Sequence, residues 1–407
     1  MSILVQKYGG SSVSDATKIK SVALRIAESK KQGHQLAVVL SAMGDSTDQL
    51  IELAESISTN PEPRELDTLL STGELVSCTL MAMALRELGI PAISMSGAQA
   101  GIKTDTAHGR ASIVGLDANR IISILNSGTV AIVAGFQGVS EDMDITTLGR
   151  GGSDTTAVAL AAAIGAERCE VFTDVDGIYT ADPRVVPNAK KIKEIGYEEM
   201  LELASYGAKM HPRSIELGAW YKVPILVAAS YESIPGTMIH SIDTKDNLME
   251  IANKVSGVTY QKGIARITVR GIPDRPGIAA SVFAPLSEAI ISVDTIVQNA
   301  SAENLTDLSF TVDEKDLEIA FHVTSGIASS INATECTTSN QLGQVSIVGT
   351  GMQNAPGVAS LMFSTLSEAN VNIEMITTSQ IRITCIVKET QIDDATRVLH
   401  HAFDLDS

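Results

Sequence analysis

The chain has 407 residues, of which 44% are hydrophobic and 19% are charged, a composition typical of a globular protein rather than a disordered one. At roughly 100–200 residues per domain, this length predicts two or three domains. The net charge of −18 argues against a nucleic-acid partner, because binding to a phosphate backbone requires a cationic surface. If the protein binds an anionic ligand, its cations and glycine N–H groups must gather at one place.

No part of the sequence carries a clear signal for export or for insertion into a membrane. Apolar runs such as residues 130–136 and 157–164 are shorter than the roughly 20 residues that a membrane-spanning helix needs. The N-terminal stretch lacks a basic segment followed by a long apolar one, so no secretory signal is predicted. The four cysteines have neither CxxC nor histidine spacing, which argues against a zinc site or a disulfide framework. Together these features predict a soluble, cytoplasmic protein.

Up to about residue 245, short apolar runs rich in β-branched residues alternate with longer helical stretches. Such alternation predicts a mostly parallel sheet that is covered by helices on both faces. Ligands of open α/β sheets bind at the carboxyl ends of the strands, and the glycine-rich loops of this chain follow strands. The predicted strands are residues 3–6, 36–40, 130–134 and 170–173, and the first predicted helix is residues 16–31.

Two loops place a cation beside glycines. Residues 7–12, KYGGSS, follow a predicted strand, so the backbone can approach phosphate oxygens while the Lys7 ammonium neutralises them. Taken alone, this loop is equally compatible with a surface lysine beside an ordinary turn. Residues 147–154, TLGRGGSD, place Arg150 in a glycine-rich loop ahead of a helix predicted over residues 155–164. This loop predicts an anion site, because a guanidinium can bind a carboxylate through two parallel hydrogen bonds.

Two earlier loops carry hydroxyl groups and one notable carboxylate. Residues 41–48, SAMGDSTD, offer N–H and O–H donors suited to a carboxylate, although Asp45 or Ser46 would also serve as an ordinary helix N-cap. Residues 71–74, STGE, are predicted to place Glu74 at the start of a helix. There Glu74 would either cap the helix or pair with the α-ammonium group of an amino acid.

Two later loops add further charged groups. Residues 173–184 place Asp174 directly after a strand, where a carboxylate can hold Mg²⁺ or orient lysines, and Tyr179 could contact a nucleotide. Residues 205–213 supply a second lysine, Lys209. Because the chain is acidic overall, an anion site needs local cations. The candidates are Lys7, Arg150, Arg184 and Lys209.

The second half of the chain contains an internal repeat. At an offset of 80 residues, residues 276–296 match residues 356–376 with nine identities in 21 aligned positions and no gap. Each copy predicts a strand, a Pro-Gly turn, an amphipathic helix and a strand, which is the period of a small βαββαβ module. A purely structural duplication without a ligand is the alternative. The predicted division is a first domain at residues 1–245, a linker at 246–262, and repeat copies at 263–340 and 341–407.

These loops, in this order, resemble those of the aspartate kinases of the amino-acid kinase superfamily, and the resemblance covers essentially the whole chain. The segments at residues 7–13, 149–154 and 173–177 are similar to its hallmark loops. The repeats resemble tandem ACT domains, whose effector loops would be residues 274–277 and 354–357. The resemblance implies an α/β fold, with a mostly parallel sheet sandwiched by helices and followed by two βαββαβ ACT modules. It also implies ATP-dependent phosphorylation of the aspartate side chain, the first step of lysine, threonine and methionine biosynthesis, under feedback control.

The resemblance implies roles for individual residues, with Mg²⁺ carried by ATP rather than held by a protein metal site. Catalysis would depend on Lys7, Asp174 and Lys209. The implied nucleotide-binding residues are Lys7, Tyr8, Gly9, Gly10, Thr173, Asp174, Tyr179, Asp182, Arg184, Lys209 and Met210. The implied aspartate-binding residues are Ser41, Thr47, Glu74, Arg150, Gly151, Gly152 and Ser153. The residues implied to bind lysine, threonine or both as effectors are Asp274, Gly277, Ala279, Asp294, Gln298, Asn372, Ile373 and Ser379.

The resemblance further implies a homo-oligomer that forms through the ACT domains. Some members of the family make a separate regulatory subunit by internal initiation, and Met249 lies where a shorter subunit of this kind would start. Two alternative functions stay open. One is a kinase of another amino acid such as glutamate, and a panel of amino-acid substrates would distinguish it from an aspartate kinase. The other is a non-catalytic amino-acid sensor, against which the presence of Lys7, Arg150 and Asp174 argues.

Overall fold

A computed structural model of the chain describes residues 2–205, 210–232, 234–242, 254–299, 304–352 and 355–406. Lys209 and Met249 lie outside these described residues. The chain divides into two compact units. The first unit is Met1–Ile178 with Lys191–Leu248, and the second is Tyr179–Lys190 with Met249–Ser407. The predicted first domain, residues 1–245, is therefore interrupted by a short segment that packs with the second unit.

The first unit contains an eight-stranded sheet and a separate four-stranded sheet among its described residues. Its strands are β1 (Ile3–Tyr8), β2 (Gln35–Leu40), β3 (Ala92–Met95), β4 (Ile102–Thr104), β5 (Ile113–Leu116), β6 (Val130–Ala134), β7 (Gln137–Val139), β8 (Ile145–Thr147), β9 (Arg168–Thr173), β10 (Glu194–Gly196), β11 (Ile225–Ala229) and β12 (Thr237–His240). Its α-helices are α1 (Ala16–Lys31), α2 (Ser46–Ile57), α3 (Pro63–Glu87), α4 (Asn119–Asn126), α5 (Gly152–Ile164), α6 (Tyr197–Ser205) and α7 (Pro212–Tyr221).

The large sheet has the strand order β10-β12-β11-β9-β1-β2-β6-β3. The six strands from β11 to β3 in this order are parallel, and β12 runs antiparallel to β11. Side chains alternate between the two faces of a strand, so Leu4 and Tyr8 of β1 face the core that α1 and α3 share, whereas Lys7 points to the opposite face. There it meets α5. The predicted parallel sheet with helices on both faces is confirmed.

The first predicted helix is confirmed at residues 16–31. Asp15 accepts a hydrogen bond from the Lys18 N–H at 2.9 Å and caps the helix. Two lysines in the last turn interact favourably with the negative end of the helix dipole. The helix predicted over residues 155–164 begins three residues earlier, at Gly152.

The prediction that residues 71–74 begin a helix is wrong, because they lie in the middle of α3. That helix begins at Pro63, where Glu62 accepts a hydrogen bond from the Glu65 N–H at 3.1 Å. Gly73 marks a close approach rather than a helix start: an added Cβ would lie 2.9 Å from the Ala42 side chain. The glycine thus allows α3 to pack tightly against the loop that follows β2.

Among the described residues, α3 is the one helix long and apolar enough, by length and composition, to span a membrane. Half of its most apolar window is buried inside the protein. It also buries the carboxylates of Asp67 and Glu74 in the first unit. These are properties of a core helix.

The second unit contains one six-stranded sheet among its described residues, with the order β14-β15-β13-β16-β18-β17. Its strands are β13 (Gly257–Pro273), β14 (Ile296–Asn299), β15 (Leu305–Asp313), β16 (Glu335–Val348), β17 (Met375–Thr378) and β18 (Arg382–Lys388). Its α-helices are α8 (Ile278–Glu288), α9 (Leu317–Ser330), α10 (Val358–Glu368) and α11 (Ile392–Ala402).

The two repeat copies share the long strands β13 and β16. The antiparallel pairing of these strands runs from Gly257 opposite Val348 to Arg270 opposite Glu335. The first copy is therefore inserted between parts of the second. Residue Val258, within the linker predicted at residues 246–262, belongs to β13 and to the core of the second copy.

Both repeat helices begin directly after a glycine of the Pro-Gly turn. Gly277 and Gly357 have φ angles of +90° and +98°, a left-handed conformation that favours glycine. The helices α8 and α10 start 80 residues apart, at the offset that the sequence repeat predicts. The predicted strand, turn and helix of each copy are confirmed.

Candidate active site

The loops after β1, β2, β9 and β11 meet at the carboxyl-end edge of the large sheet. The Gly44 N–H donates to the Gly10 carbonyl at 3.0 Å, and the Ser230 N–H donates to the Thr173 carbonyl at 2.9 Å. A Cβ on Gly10 would lie 2.8 Å from the Ala42 carbonyl oxygen, so only glycine fits at this contact. The Gly9 N–H donates to the Phe172 carbonyl at 3.4 Å and so connects the two pairs of loops.

Lys7 is buried at this edge and is held by an ion pair. Its Nζ lies 2.6 Å from Oδ1 of Asp154, in the first turn of α5. A Cβ on Gly9 would lie 3.5 Å from the same Nζ, which places the ammonium over the glycine loop. The N-terminus of α5 adds backbone N–H groups that favour an anion. Asp154 was not among the predicted site residues. The one feature of the sequence that could have indicated it is its place directly after the glycines and serine of the GRGGSD motif.

Tyr8, which was predicted to contact a nucleotide, has a fully buried side chain. Its ring stacks on Phe172 at a centroid distance of 4.9 Å, and its hydroxyl donates to Gln6 Oε1 at 3.2 Å. Burial raises the pKa of the Tyr8 hydroxyl far above its ordinary value. The whole residue is 0% exposed and its carbonyl accepts from the Ser41 N–H at 3.2 Å, so the structure does not support the predicted nucleotide contact of Tyr8.

Glu74 is a buried carboxylate with one free oxygen. The Ala42 N–H donates to its Oε1 at 3.2 Å, whereas Oε2 is buried without a hydrogen-bond partner among the described residues. Burial raises the pKa of Glu74 to about 7. A buried acceptor without a donor destabilises the protein, so this oxygen is suited to a cationic group of a ligand.

The loop that carries Arg150 has a glycine in left-handed conformation on each side of the arginine. Gly149 and Gly151 have φ angles of +73° and +70°. A Cβ on Gly151 would lie 2.2 Å from the ring of His211, so this position requires glycine. Burial lowers the pKa of His211 and favours its neutral form. The Arg150 side chain is exposed and has no ion-pair partner in the part of the chain that the structure describes.

The remaining predicted aspartate-binding residues lie along the same edge. Ser41 follows β2, and its carbonyl accepts a hydrogen bond from the Ser77 hydroxyl at 2.8 Å. Thr47 lies in the first turn of α2, where Asp45 occupies the N-cap position without a side-chain capping hydrogen bond. Gly152 and Ser153 form the first turn of α5.

The predicted nucleotide-binding residues divide between the two units. Asp174 lies just beyond β9 in the first unit and accepts a hydrogen bond from the Thr173 hydroxyl at 3.0 Å, and Met210 is buried there. Tyr179, Asp182 and Arg184 belong to the second unit.

Within that unit, Asp182 forms an ion pair with Arg184 at 2.7 Å and accepts a hydrogen bond from Tyr260 at 3.2 Å. Hydrogen bonds from Arg184 hold the pKa of the Asp182 carboxyl below its ordinary value. The described residues contain no group of three or more His, Cys, Asp and Glu side chains that would hold a metal ion.

The predicted effector residues of the second unit lie on its two repeat copies. Gly277 precedes α8 and Ala279 lies half-buried in its first turn, where helix N–H groups are free to bind an anion. In the first copy, Asp294 precedes β14 and Gln298 lies within it; the residues of the second copy flank β17, at the opposite end of the strand order of one chain. The remaining predicted residues, mostly exposed, are Asp274, Asp294, Gln298, Asn372, Ile373 and Ser379.

Comparison with known proteins gives full-length matches. Residues 2–229 match the amino acid kinase family, and residues 267–324 and 345–403 match the ACT domain. An aspartokinase of Mycolicibacterium smegmatis is 47% identical over 409 residues, covering 100% of this chain and 97% of that protein. E. coli aspartokinase III in complex with aspartate and ADP is 27% identical, with 98% of this chain and 99% of that chain covered and a TM-score of 0.83. The same enzyme in complex with lysine and aspartate is 26% identical, with the same coverage and a TM-score of 0.76.

The fold and the site thus define a kinase unit of the amino-acid-kinase type that is followed by two ACT domains. Because the matched relatives cover the whole chain, the assignment can be made more narrowly. The chain belongs to the amino acid kinase family and, within it, to the aspartate kinases.

Proposed function

We propose that the chain transfers the γ-phosphoryl group of ATP to the side-chain carboxylate of aspartate and forms β-aspartyl phosphate and ADP. The observation that carries this proposal is the pairing of two complementary groups at one sheet edge. Lys7, held by Asp154 over the Gly9 loop, offers a positive charge to phosphate, and Oε2 of Glu74, which has no hydrogen-bond partner among the described residues, offers a negative charge to an α-ammonium group. The aspartokinase III of E. coli, which has the same fold, has been solved with aspartate and ADP.

The reaction needs positioning and charge neutralisation rather than proton transfer. One oxygen of the aspartate side chain attacks the γ-phosphorus, the bond to the β,γ-bridging oxygen breaks, and its electron pair leaves with ADP. The attacking carboxylate is already ionised at neutral pH, so no general base is required. Lys7 and the N–H groups of the glycine loop would neutralise charge on the migrating group, while Mg²⁺ enters with ATP as part of the substrate.

Aspartate would be held at both ends. The exposed Arg150 guanidinium would bind one of its carboxylates in a bidentate fork, and Glu74 would bind its ammonium group. The hydroxyls of Ser41, Thr47 and Ser153, with the backbone of Gly151 and Gly152, would supply the remaining donors.

In the first unit, the nucleotide would contact Lys7, Gly9, Gly10, Thr173, Asp174 and Met210. The roles of Tyr179, Asp182 and Arg184, which pack in the second unit, rest on the sequence resemblance alone. The same holds for Lys209, which lies outside the described residues.

The ACT copies would bind lysine, threonine or both and inhibit the kinase, acting in a cytoplasmic homo-oligomer. The lysine complex of E. coli aspartokinase III supports an amino-acid effector. Since β14 and β17 lie at opposite ends of the strand order in one chain, an effector site built from both copies would be completed by a second chain. A shorter regulatory subunit that starts near Met249 is part of the same proposal.

Arg150→Lys tests the aspartate site. Lysine keeps the charge but cannot form the fork, so the KM for aspartate should rise at least about tenfold while the KM for ATP stays within about twofold. Arg120→Lys, at an exposed position of α4, is the matched control and should change neither constant. Measuring whether glutamate is phosphorylated in place of aspartate tests the alternative that the chain is a kinase of another amino acid. Equal rises in both Michaelis constants, or no rise in either, would show that Arg150 does not bind aspartate.

A further inference from the structure

Asp67 is a buried carboxylate for which the proposed chemistry has no use. It lies in the second turn of α3 and is 1% exposed. Burying a carboxylate is costly unless hydrogen bonds compensate for the lost water. Its two oxygens accept from His108 Nδ1 at 2.8 Å, from the Gly109 N–H at 3.0 and 3.1 Å, and from the N–H and hydroxyl of Thr147 at 3.1 and 2.5 Å.

These bonds connect α3 to the start of the segment that carries Arg150. Thr147 is the last residue of β8 and precedes Arg150 by three residues. The donors to Asp67 come from two loops, one around Gly109 and one at Thr147, and the two loops approach each other closely. A Cβ on Gly149 would lie 3.1 Å from the Gly109 carbonyl oxygen.

A second clamp holds the same two loops. The Ala111 N–H donates to the Thr147 carbonyl at 2.8 Å. Arg213 donates from Nη1 to the Leu148 carbonyl at 2.8 Å and from Nη2 to the Ala111 carbonyl at 3.1 Å. The backbone that enters the arginine loop is therefore fixed from α3 on one side and from α7 on the other.

We infer that Asp67 is a positioning residue that fixes the backbone of residues 147–151 and thereby aims the Arg150 guanidinium at the aspartate carboxylate. This inference rests on the proposed function, in which Arg150 binds aspartate. Arg150 has no ion-pair partner among the described residues, and glycines in left-handed conformation stand on both sides of it. Glycines leave the chain conformationally free, so the direction of the side chain depends on anchors outside the loop.

Asp67→Asn tests the inference with almost no change in shape. The Gly109 N–H faces both carboxylate oxygens and the Thr147 N–H faces Oδ2, so either orientation of the amide places its NH₂ group against a backbone donor. The KM for aspartate should rise at least about tenfold, because small displacements of a positioning group are costly, while the KM for ATP stays within about twofold. Glu87→Gln, the same carboxylate-to-amide change at an exposed position near the other end of α3, is the control and should leave both constants unchanged.

A second pair of variants keeps the test decisive if Asp67→Asn does not fold. Thr147→Val removes the hydroxyl donor to Asp67 but keeps the backbone N–H, whereas Thr147→Ser keeps both donors. Thr147→Val should raise the KM for aspartate severalfold, and Thr147→Ser should restore it. A merely structural defect would lower the melting temperature in both variants without separating the two Michaelis constants.

The outcomes distinguish this inference from the function on which it rests. If Arg150→Lys raises the KM for aspartate but Asp67→Asn and Thr147→Val do not, the positioning role is wrong and the aspartate site stands. Equal rises in both Michaelis constants for folded Asp67→Asn would also overturn the positioning role. If Arg150→Lys itself leaves the KM for aspartate unchanged, the assignment of Arg150 fails first.

Discussion

Glu74 is expected to make aspartate binding depend on pH in the neutral range. Burial raises its pKa from 4.5 to about 7, and its Oε2 has no hydrogen-bond partner among the described residues. Only the ionised form can pair with an ammonium group, so bound aspartate should stabilise the ionised form and release a proton. The aspartate side chain itself stays ionised throughout this range, because its ordinary pKa is about 3.9.

The size of the effect follows from that pKa. If aspartate binds only to ionised Glu74, its apparent Kd scales as one plus the ratio of protonated to ionised Glu74. Relative to the alkaline plateau, binding should be about twofold weaker at pH 7 and about 30-fold weaker at pH 5.5, which corresponds to about 2 kcal/mol. About half a proton should be released per aspartate bound at pH 7, and nearly one below pH 6.

Calorimetry of aspartate binding without nucleotide, at several pH values and in buffers of different ionisation enthalpy, measures both the affinity and the released protons. Glu74→Gln is the control, because it keeps the shape and cannot titrate. It should bind aspartate more weakly than the wild type at pH 8 and with little dependence on pH. A wild-type affinity that changes less than about threefold between pH 5.5 and 7.5, or the same pH slope in Glu74→Gln, would refute the reasoning.

The same shift predicts the stability of the unliganded protein. The folded-state pKa of Glu74 lies above the unfolded value of 4.5, so the folded state binds more protons between pH 4.5 and about 7. The stabilising contribution is complete below pH 4.5 and is lost as the pH rises through 7, by up to about 3 kcal/mol. Unliganded Glu74→Gln should therefore melt at a higher temperature than the wild type at pH 8, and an equal or lower melting temperature would contradict this.

Three further substitutions test other parts of the proposal. Lys7→Ala should lose at least about 100-fold in kcat, since one preorganised charge is removed, and should melt at a lower temperature, because buried Asp154 loses its ion-pair partner; near-native turnover would disprove the phosphate role of Lys7. Gly151→Ala would place a Cβ 2.2 Å from the ring of His211, so the KM for aspartate should rise and the melting temperature should fall well below that of Gly33→Ala, which meets only open space. Ala279→Val should raise the half-inhibitory concentration of lysine plus threonine about tenfold and leave kcat unchanged. An inhibition curve like that of the wild type would show that Ala279 does not line the effector site.

Local sequence signals were sufficient for several helices and strands. Apolar runs and helical stretches are recognised over a few positions, and they placed the helix of residues 16–31 and the strand of residues 130–134 at the bounds that the structure has. The repeat likewise predicted two helices with an offset of 80 residues, because the two copies share their Pro-Gly turns and helix residues. The glycine-rich loops carried enough pattern to predict an anion site at the strand ends.

The tertiary structure alone decided the contacts between residues far apart in the chain. Residues 71–74 were expected to begin a helix, but they lie within α3, and a glycine is needed at position 73 because Ala42, distant in the sequence, approaches closely. No local pattern identified Asp154 as the partner of Lys7 or Asp67 as an acceptor for Thr147, since these pairs are separated by 147 and 80 residues. The sequence gives the charged residues, but the tertiary packing determines which of them are buried, which form ion pairs and which remain available to a ligand.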